Sequence, residues 1–380
     1  MNKITEGQEK EIDKQVEKNM GTQTKFLAEL VRTNSRNPGS GAGGSVEVET
    51  VMAKLIRGKL REMGVISRYL RARRGRPNIV SVVGPMRTRK SLMLIGHMDT
   101  AMHQRQGELL SAPGLVRNGK MFGEGILDMK ATLSAYLFAL QAILGAGWQL
   151  DGKLKLIFVA DGKGEKPSKW GLAYLLNRGL SAKAAILGKP GTEKIAIGHR
   201  GGYRFSLTTL GQAVDTGRKV WEKGRIGKNA IVDMARVIKE LSTFELPFKQ
   251  ARAFPGRRPV FTFPTKIAGG SFIDVVPDKC TAYGDVRLMP GNTDIQAKMW
   301  IQERLAEQPD IKWEMEDLLY VPSMEIDRNE PVVQVLSEQT EKVMGKTAKI
   351  EGCGPWNDSW MLVTRDIPCV AGFGPDGGEG

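Results

Sequence analysis

"LKLIFVADGKGEKPSKWG", Leu154 to Gly171, decides the fold class. From Leu154 to Ala160 it is almost unbroken apolar, as in a strand covered on both faces of an α/β sheet. It then stops at Asp161-Gly162-Lys163-Gly164. In open α/β sheets ligands bind in the crevice beyond the carboxyl ends of the strands. This strand therefore delivers a glycine and a lysine to the place where chemistry usually happens.

Around this strand the texture alternates. Upstream, "NIVSVVGP" and "SLMLIGHMDT" read as strands, and "DMKATLSAYLFALQAILGAG" as a long apolar helix opened by Asp128 and closed by glycines. Downstream, "GLAYLLNRG" reads as helix and "KAAILGKP" as strand. This spacing predicts an α/β domain with a mostly parallel central sheet and helices on both faces. Two helices precede it, residues 4 to 34 and "VETVMAKLIRGKLREMG", whose Gly64 suits a C-terminal cap. Between them the glycine-rich "NPGSGAGGSVE" lacks the GK[ST] ending of a phosphate loop and reads as a flexible lead-in.

After Gly198 the pattern changes. "YRFSLTTLG", "FTFPTKIAGGS", "KCTAYGDVRLMP" and "IKWEMEDLLY" read as strands, and "NAIVDMARVIKELS" and "DIQAKMWIQERLAE" as helices. Two helices on one antiparallel sheet predict an inserted α+β domain over 199-319. From Pro331 the α/β texture returns with "VVQVLSEQTEKVMG" and "IPCVAGFGP", so the larger domain is discontinuous, 1-198 and 320-380. A chain of 380 residues suits two such domains.

Hydrophobic content of 41% with 26% charged residues is ordinary for a globular protein. The apolar runs are short of the roughly 20 residues a membrane span needs, and the charged N-terminus has no signal core. A cytoplasmic location and no membrane partner are the expectation. Cys280, Cys353 and Cys369 are widely spaced with no CxxC pairing, which predicts reduced, mostly buried thiols. The net charge is +14, but the basic residues are scattered. One modest cluster, "RYLRARRGR" (Arg68 to Arg76), comes without a zinc finger, an RNA-binding aromatic signature or a basic tail. It reads as a solvated basic surface, and nucleic acid is not an expected partner.

The chemistry-bearing candidates start with His97 and Asp99 in "IGHMDTAM". A histidine two residues before an aspartate at a strand's carboxyl end can face a ligand while the carboxylate orients it. Alone the pair is a weak signal, and a hydrogen-bonded turn is the competing explanation. Asp128, at a helix N-terminus, is either a cap or a metal-bridging carboxylate.

The order of segments is more specific. "GHMDTA", "GEGILDMKA", "FVAD", "AILGKPG", "GHRGGYRFSLTTLGQAV", "GKNAI", "IDVVPDKCTAYGDVRLMPG", "GPWNDSW" and "FGPDGG" follow one another. Together they resemble the acetylornithine deacetylase, succinyl-diaminopimelate desuccinylase and aminoacylase family of zinc metallopeptidases. The resemblance covers nearly the whole chain after about residue 20. It implies a catalytic domain carrying two zinc ions, an inserted lid and dimerisation domain, and hydrolysis of an N-acyl or peptide amide by a metal-bridged water. His97 then stands at a metal ligand, Asp99 at its supporting aspartate, and Asp128 at the bridging aspartate.

The departures follow from the same resemblance. The family's general-base glutamate falls on Gly162, and the next metal ligand on Lys163. A further carboxylate ligand falls on Lys189 in "GKPG", and the lid histidine on Asp215 in "GQAVDTG". The last metal-binding histidine should follow "FGPDGG", where this sequence reaches Gly380. Lysine offers donors only, so no metal is expected on the chain as it stands. Lys163 and Lys189 are instead expected to act as built-in cations for Asp128, Asp99 or Asp161; the competing reading is inactivation without compensation. On the substrate side, Arg287 in "DVRLMPG" matches an arginine suited to a carboxylate, or makes an ion pair with Asp285. Asn229 matches a lid asparagine or caps a helix, and Asp358 in "WNDSW" a family aspartate near the site floor. The expected partners are a small carboxylate or acyl-amino-acid ligand and, through the lid, a second copy of the chain. The expectation is therefore a family member that is non-catalytic by the family's mechanism; the alternative is an active amidohydrolase with altered metal use or a lysine base.

Overall fold

The computed structural model describes residues 5–37, 47–101, 112–164, 168–217, 224 and 227–378. Most of the glycine-rich stretch after Asn37 lies outside them. Thr5 and Gln8 exchange hydrogen bonds as a capping box and start α1 (Glu6–Arg32). There follow α2 (Val48–Glu62), β1 (Ser67–Arg73), β2 (Arg76–Val83), β3 (Ser91–His97), and a hairpin of β4 (Leu115–Arg117) and β5 (Lys120–Phe122). Next come α3 (Ala131–Gly145), β6 (Lys153–Val159), α4 (Leu172–Asn177), β7 (Ala184–Gly188) and β8 (Gly191–His199). β9 (Gly202–Leu210), α5 (Ala230–Ser242), β10 (Val260–Gly269), β11 (Lys279–Arg287), α6 (Asp294–Ala306) and β12 (Lys312–Val321) form the insertion. The chain closes with β13 (Met324–Glu325), α7 (Pro331–Met344), β14 (Lys349–Cys353), α8 (Trp360–Val363) and β15 (Cys369–Gly374).

Two units result: Met1–Ile197 with Ile326–Glu351 and Asn357–Gly380, and Gly198–Glu325 with Gly352–Trp356. The second ends at Glu325 rather than 319, because β12 runs on to Val321 and β13 pairs with Gly198 and His199.

The sheet of the first unit runs β1-β2-β6-β3-β7-β15-β8. β6, β3, β7 and β15 are mutually parallel; β2 and β8 flank them antiparallel. Side chains alternate along a strand, and β6 uses both faces. Leu156 and Phe158 enter a core with α1, α2 and α3, while Ile157 and Val159 enter another with α4 and α8. That double burial is why the strand reads as one apolar run. Ile126–Gly145 has the length and composition to cross a bilayer, contrary to the sequence expectation. Here Leu133, Leu137 and Leu140 of that stretch are buried in a core. In the second unit α5 and α6 pack on the antiparallel sheet β10-β11-β9-β12 around Tyr203, Phe205 and Leu207.

Cys280 and Cys369 are buried and Cys353 half-buried, and none of the three is in a disulfide.

Candidate functional site

The chain passes from β3 to β6 on one side, then from β6 to β7 on the other. Such a reversal leaves an open crevice at the strands' carboxyl ends. β3 brings His97 and Asp99 there, β6 brings Asp161 to Lys163, and β7 brings Lys189. Asp128 arrives from an irregular, kinked turn over Ile126–Lys130, just before α3.

The cap reading of Asp128 does not hold. Its backbone is non-helical (φ −125°, ψ 77°) and makes no side-chain cap bond. Its carboxylate is instead the centre of a cluster. Oδ1 accepts from Lys189 Nζ at 2.8 Å and from His97 Nε2 at 2.9 Å, and Oδ2 accepts from Lys163 Nζ. Burial pushes this carboxyl up, but Lys189, the His97 hydrogen bond and Lys163 together hold it well below the usual carboxylate range. Burial and the neighbouring Lys189 push the Lys163 ammonium down, against Asp128.

Asp99 does not orient His97 through its carboxylate. His97 Nδ1 meets the backbone carbonyl of Asp99 at 2.8 Å, whereas the nearest carboxylate oxygen is 3.6 Å away. That carboxylate is committed elsewhere: it accepts from the amides of Gly162 (2.9 Å) and Lys163 (2.7 Å) and from Asn37 Nδ2 (2.7 Å). It therefore pins the loop after β6 against β3. The resulting approach is close. A Cβ on Gly162 would lie 2.4 Å from His97 Cβ and 2.7 Å from its Cγ, so no larger residue fits there without moving the histidine.

Beneath this cluster lies a network that the sequence reading missed. Arg76, assigned to a solvated patch, is 5% exposed. Its guanidinium meets Glu49 at 3.1 Å, Asp161 at 3.2 Å and Asn37 Oδ1 at 3.2 Å. Glu49 Oε1 also accepts from the Asp161 amide at 2.8 Å. Two carboxylates, Glu49 and Asp161, thus share one arginine, with the Asp99 charge close enough to act on both. Burial, then the Asp99 charge, pushes the Glu49 carboxyl up to about 8. Asp161 is raised too, chiefly by burial. Asp358 is buried nearby, pushed up to about 6 by burial against a hydrogen bond from Ser168 and the His97 charge.

The remaining candidates lie in the second unit. Asp215 accepts from the Gly217 amide at 2.9 Å. Asn229 caps α5, accepting from the amides of Ile231 and Val232. Arg287 donates to Asp285 at 3.0 Å and is 30% exposed.

A catalytic zinc ordinarily has three protein ligands. Among the described residues no group of three His, Cys, Asp or Glu side chains is placed to hold a metal ion. Both ring nitrogens of His97 face oxygen atoms, and the Asp128 oxygens face ammonium groups. Lysine ammonium has no lone pair to give. The described donor set does not fit a dinuclear metal centre.

The sequence profile of Peptidase family M20/M25/M40 matches residues 93–380. The chain is 27% identical over 311 residues to N-formyl-4-amino-5-aminomethyl-2-methylpyrimidine deformylase of Bacillus subtilis, covering 75% of this chain and 72% of that protein. It is 26% identical over 222 residues to acetylornithine deacetylase of Buchnera aphidicola, covering 56% and 55%. Among solved structures, aminopeptidase PepT of Bacillus cereus aligns with a TM-score of 0.68 at 15% identity, over 93% of this chain and 89% of that one. A Bacillus subtilis protein described as a dinuclear metal binding peptidase from the M20 family aligns with a TM-score of 0.62 at 16% identity, over 95% and 90%. The two structural likenesses speak to fold.

Proposed function

The chain belongs to peptidase family M20/M25/M40, and from that premise we propose that it is a member whose metal centre has been replaced by an internal ion cluster. In this reading it does not hydrolyse amides by the family's metal-bridged water, and binds a small carboxylate ligand instead. One observation carries the proposal: the Asp128 carboxylate is occupied by Lys163, Lys189 and His97, where the sequence resemblance places two metal ions. Gly162 adds support, since the base glutamate expected there has no room beside His97. Arg287 is the proposed carboxylate anchor and Asn229 its neighbour in the lid sequence pattern. The second unit is also the proposed homodimer surface, supported by exposed Phe272, Ile273 and Ile267.

A second reading, an amidohydrolase working by altered chemistry, is favoured by the 27% identity to a deformylase over 311 residues. One screen separates the two. Purified protein is incubated with N-formyl, N-acetyl and N-succinyl amino acids and with dipeptides, with and without added zinc, manganese or cobalt. The proposal expects no amine release above a protein-free blank. Turnover that disappears in Asp128→Asn or Lys163→Met would replace it with the second reading.

A further inference from the structure

At the opposite, amino-terminal ends of the same strands, the sheet carries a concentration of positive charge. The face covered by α4 and α8 is apolar at Met93 and Ile95 of β3, Ile157 and Val159 of β6, and Ala185 and Leu187 of β7. A strand returns to one face every second residue. The same face therefore continues as Ser91 on β3, Lys155 and Lys153 on β6, and Lys183 just before β7. The register sets three of these side by side. Lys153 pairs with Ser91, and the Lys183 amide donates to Ser91 O at 3.2 Å and Oγ at 3.0 Å from the other side.

Together with Arg89 and Arg365, these lysines line a crevice of about 400 Å³. Asp366 is the acid in its lining. Among the described residues none of the five cations makes an ion pair. Lys155 donates to the Ser181 carbonyl. Arg365 donates to Met361 O and to Asn177 Oδ1, both at 2.9 Å. Burial and then Lys153 push the Lys155 ammonium down. Lys153 and Lys155 share one face of β6 and Lys183 lies across β3 from them, and no described carboxylate beyond Asp366 lines this crevice to balance their charge. An anionic ligand supplies that balance.

We propose that this crevice binds a small oligophosphate, a ligand bearing two or more adjacent phosphoryl groups. Its volume falls within the roughly 300–1,000 Å³ of small-molecule sites. Strands lie about 4.8 Å apart, so the Cα atoms of Lys153 and Lys183, with β3 between them, stand about 10 Å apart. That separation is wider than one phosphate, and arginine and lysine donors suit phosphoryl oxygens. The site is independent of the Asp128 cluster.

The test is calorimetric titration with inorganic pyrophosphate at 0.15 M salt, with orthophosphate and sulfate as controls. One saturable site is expected, with orthophosphate and sulfate at least about tenfold weaker and the Lys153→Met/Lys183→Met variant weakened at least about tenfold. The melting temperature of that variant without ligand should stay close to the parent's, because neither lysine gives up an ion pair. Arg89→Gln, at an exposed position, supplies a second variant expected to lose about threefold or more. ADP binding tighter than pyrophosphate assigns the phosphates to a nucleotide, and the reverse order to a free oligophosphate; either supports the site. Equal responses to all three inorganic anions, or unchanged pyrophosphate binding in these variants, would overturn it. So would a loss of binding confined to Lys163→Met/Lys189→Met.

Discussion

Replacing Lys189 by methionine keeps most of the side-chain stem but removes the ammonium 2.8 Å from Asp128 Oδ1. At an effective dielectric of about 20, a unit pair at that distance attracts by about 6 kcal/mol. Most of this does not appear as stability. Burying an ammonium costs several kcal/mol, and Asp128, about a third exposed, keeps Lys163 and His97 as partners. A net loss of about 1–3 kcal/mol is expected for Lys189→Met, at or below the range for a broken buried pair. The sharper quantity is the coupling. In a double-mutant cycle with Asp128→Asn, guanidinium unfolding at constant m-value should give an interaction of about 1–3 kcal/mol between the two sites. A coupling below about 0.5 kcal/mol, the scatter of independent sites, would mean that Lys189 does not neutralise Asp128, and the built-in cation argument would fail.

Other outcomes follow from the neighbouring geometry. Gly162→Ala places a Cβ 2.4 Å from that of His97, so unfolding should show a loss of about 1–3 kcal/mol, the usual cost of overpacking; an unchanged midpoint would show that the loop after β6 is free to move. Glu49 is raised from its ordinary 4.5 to about 8. The folded state then binds the extra proton between these values, so this group's contribution is full below pH 4.5 and is lost as pH rises through about 8. A difference on the order of a few kcal/mol is expected from denaturation across that window, and Glu49→Gln should flatten it; a parent whose stability rises instead would contradict the raised Glu49 carboxyl.

Much of the fold is legible in local sequence because β6 is buried on both faces and the insertion strands are not. The strand ends then carry the site candidates, and the resemblance among ordered motifs marks Gly162, Lys163 and Lys189 as departures. The sequence leaves three acids, Asp128, Asp99 and Asp161, open as partners of the two lysines. The choice is settled by the kinked turn before α3, which brings Asp128 to His97 at the end of β3, where a sequence reader sees only an acid ahead of a helix. The Arg76 network was invisible for a different reason. Asn37 and Asp161 are 124 residues apart, and an arginine in a run of arginines gives no sign that it alone faces inward. β8 and the β4–β5 hairpin escaped because they are short or lack strict alternation.

Zinc calorimetry on the parent beside Lys163→Met/Lys189→Glu tests the central claim most directly. The account predicts no binding with a Kd below about 100 µM in the parent. It predicts uptake of one zinc by the variant, where His97, Asp128 and the introduced carboxylate supply three ligands. A parent that binds one or two zinc ions tightly would show that Lys163 and Lys189 do not stand in for metal, and the account would be wrong.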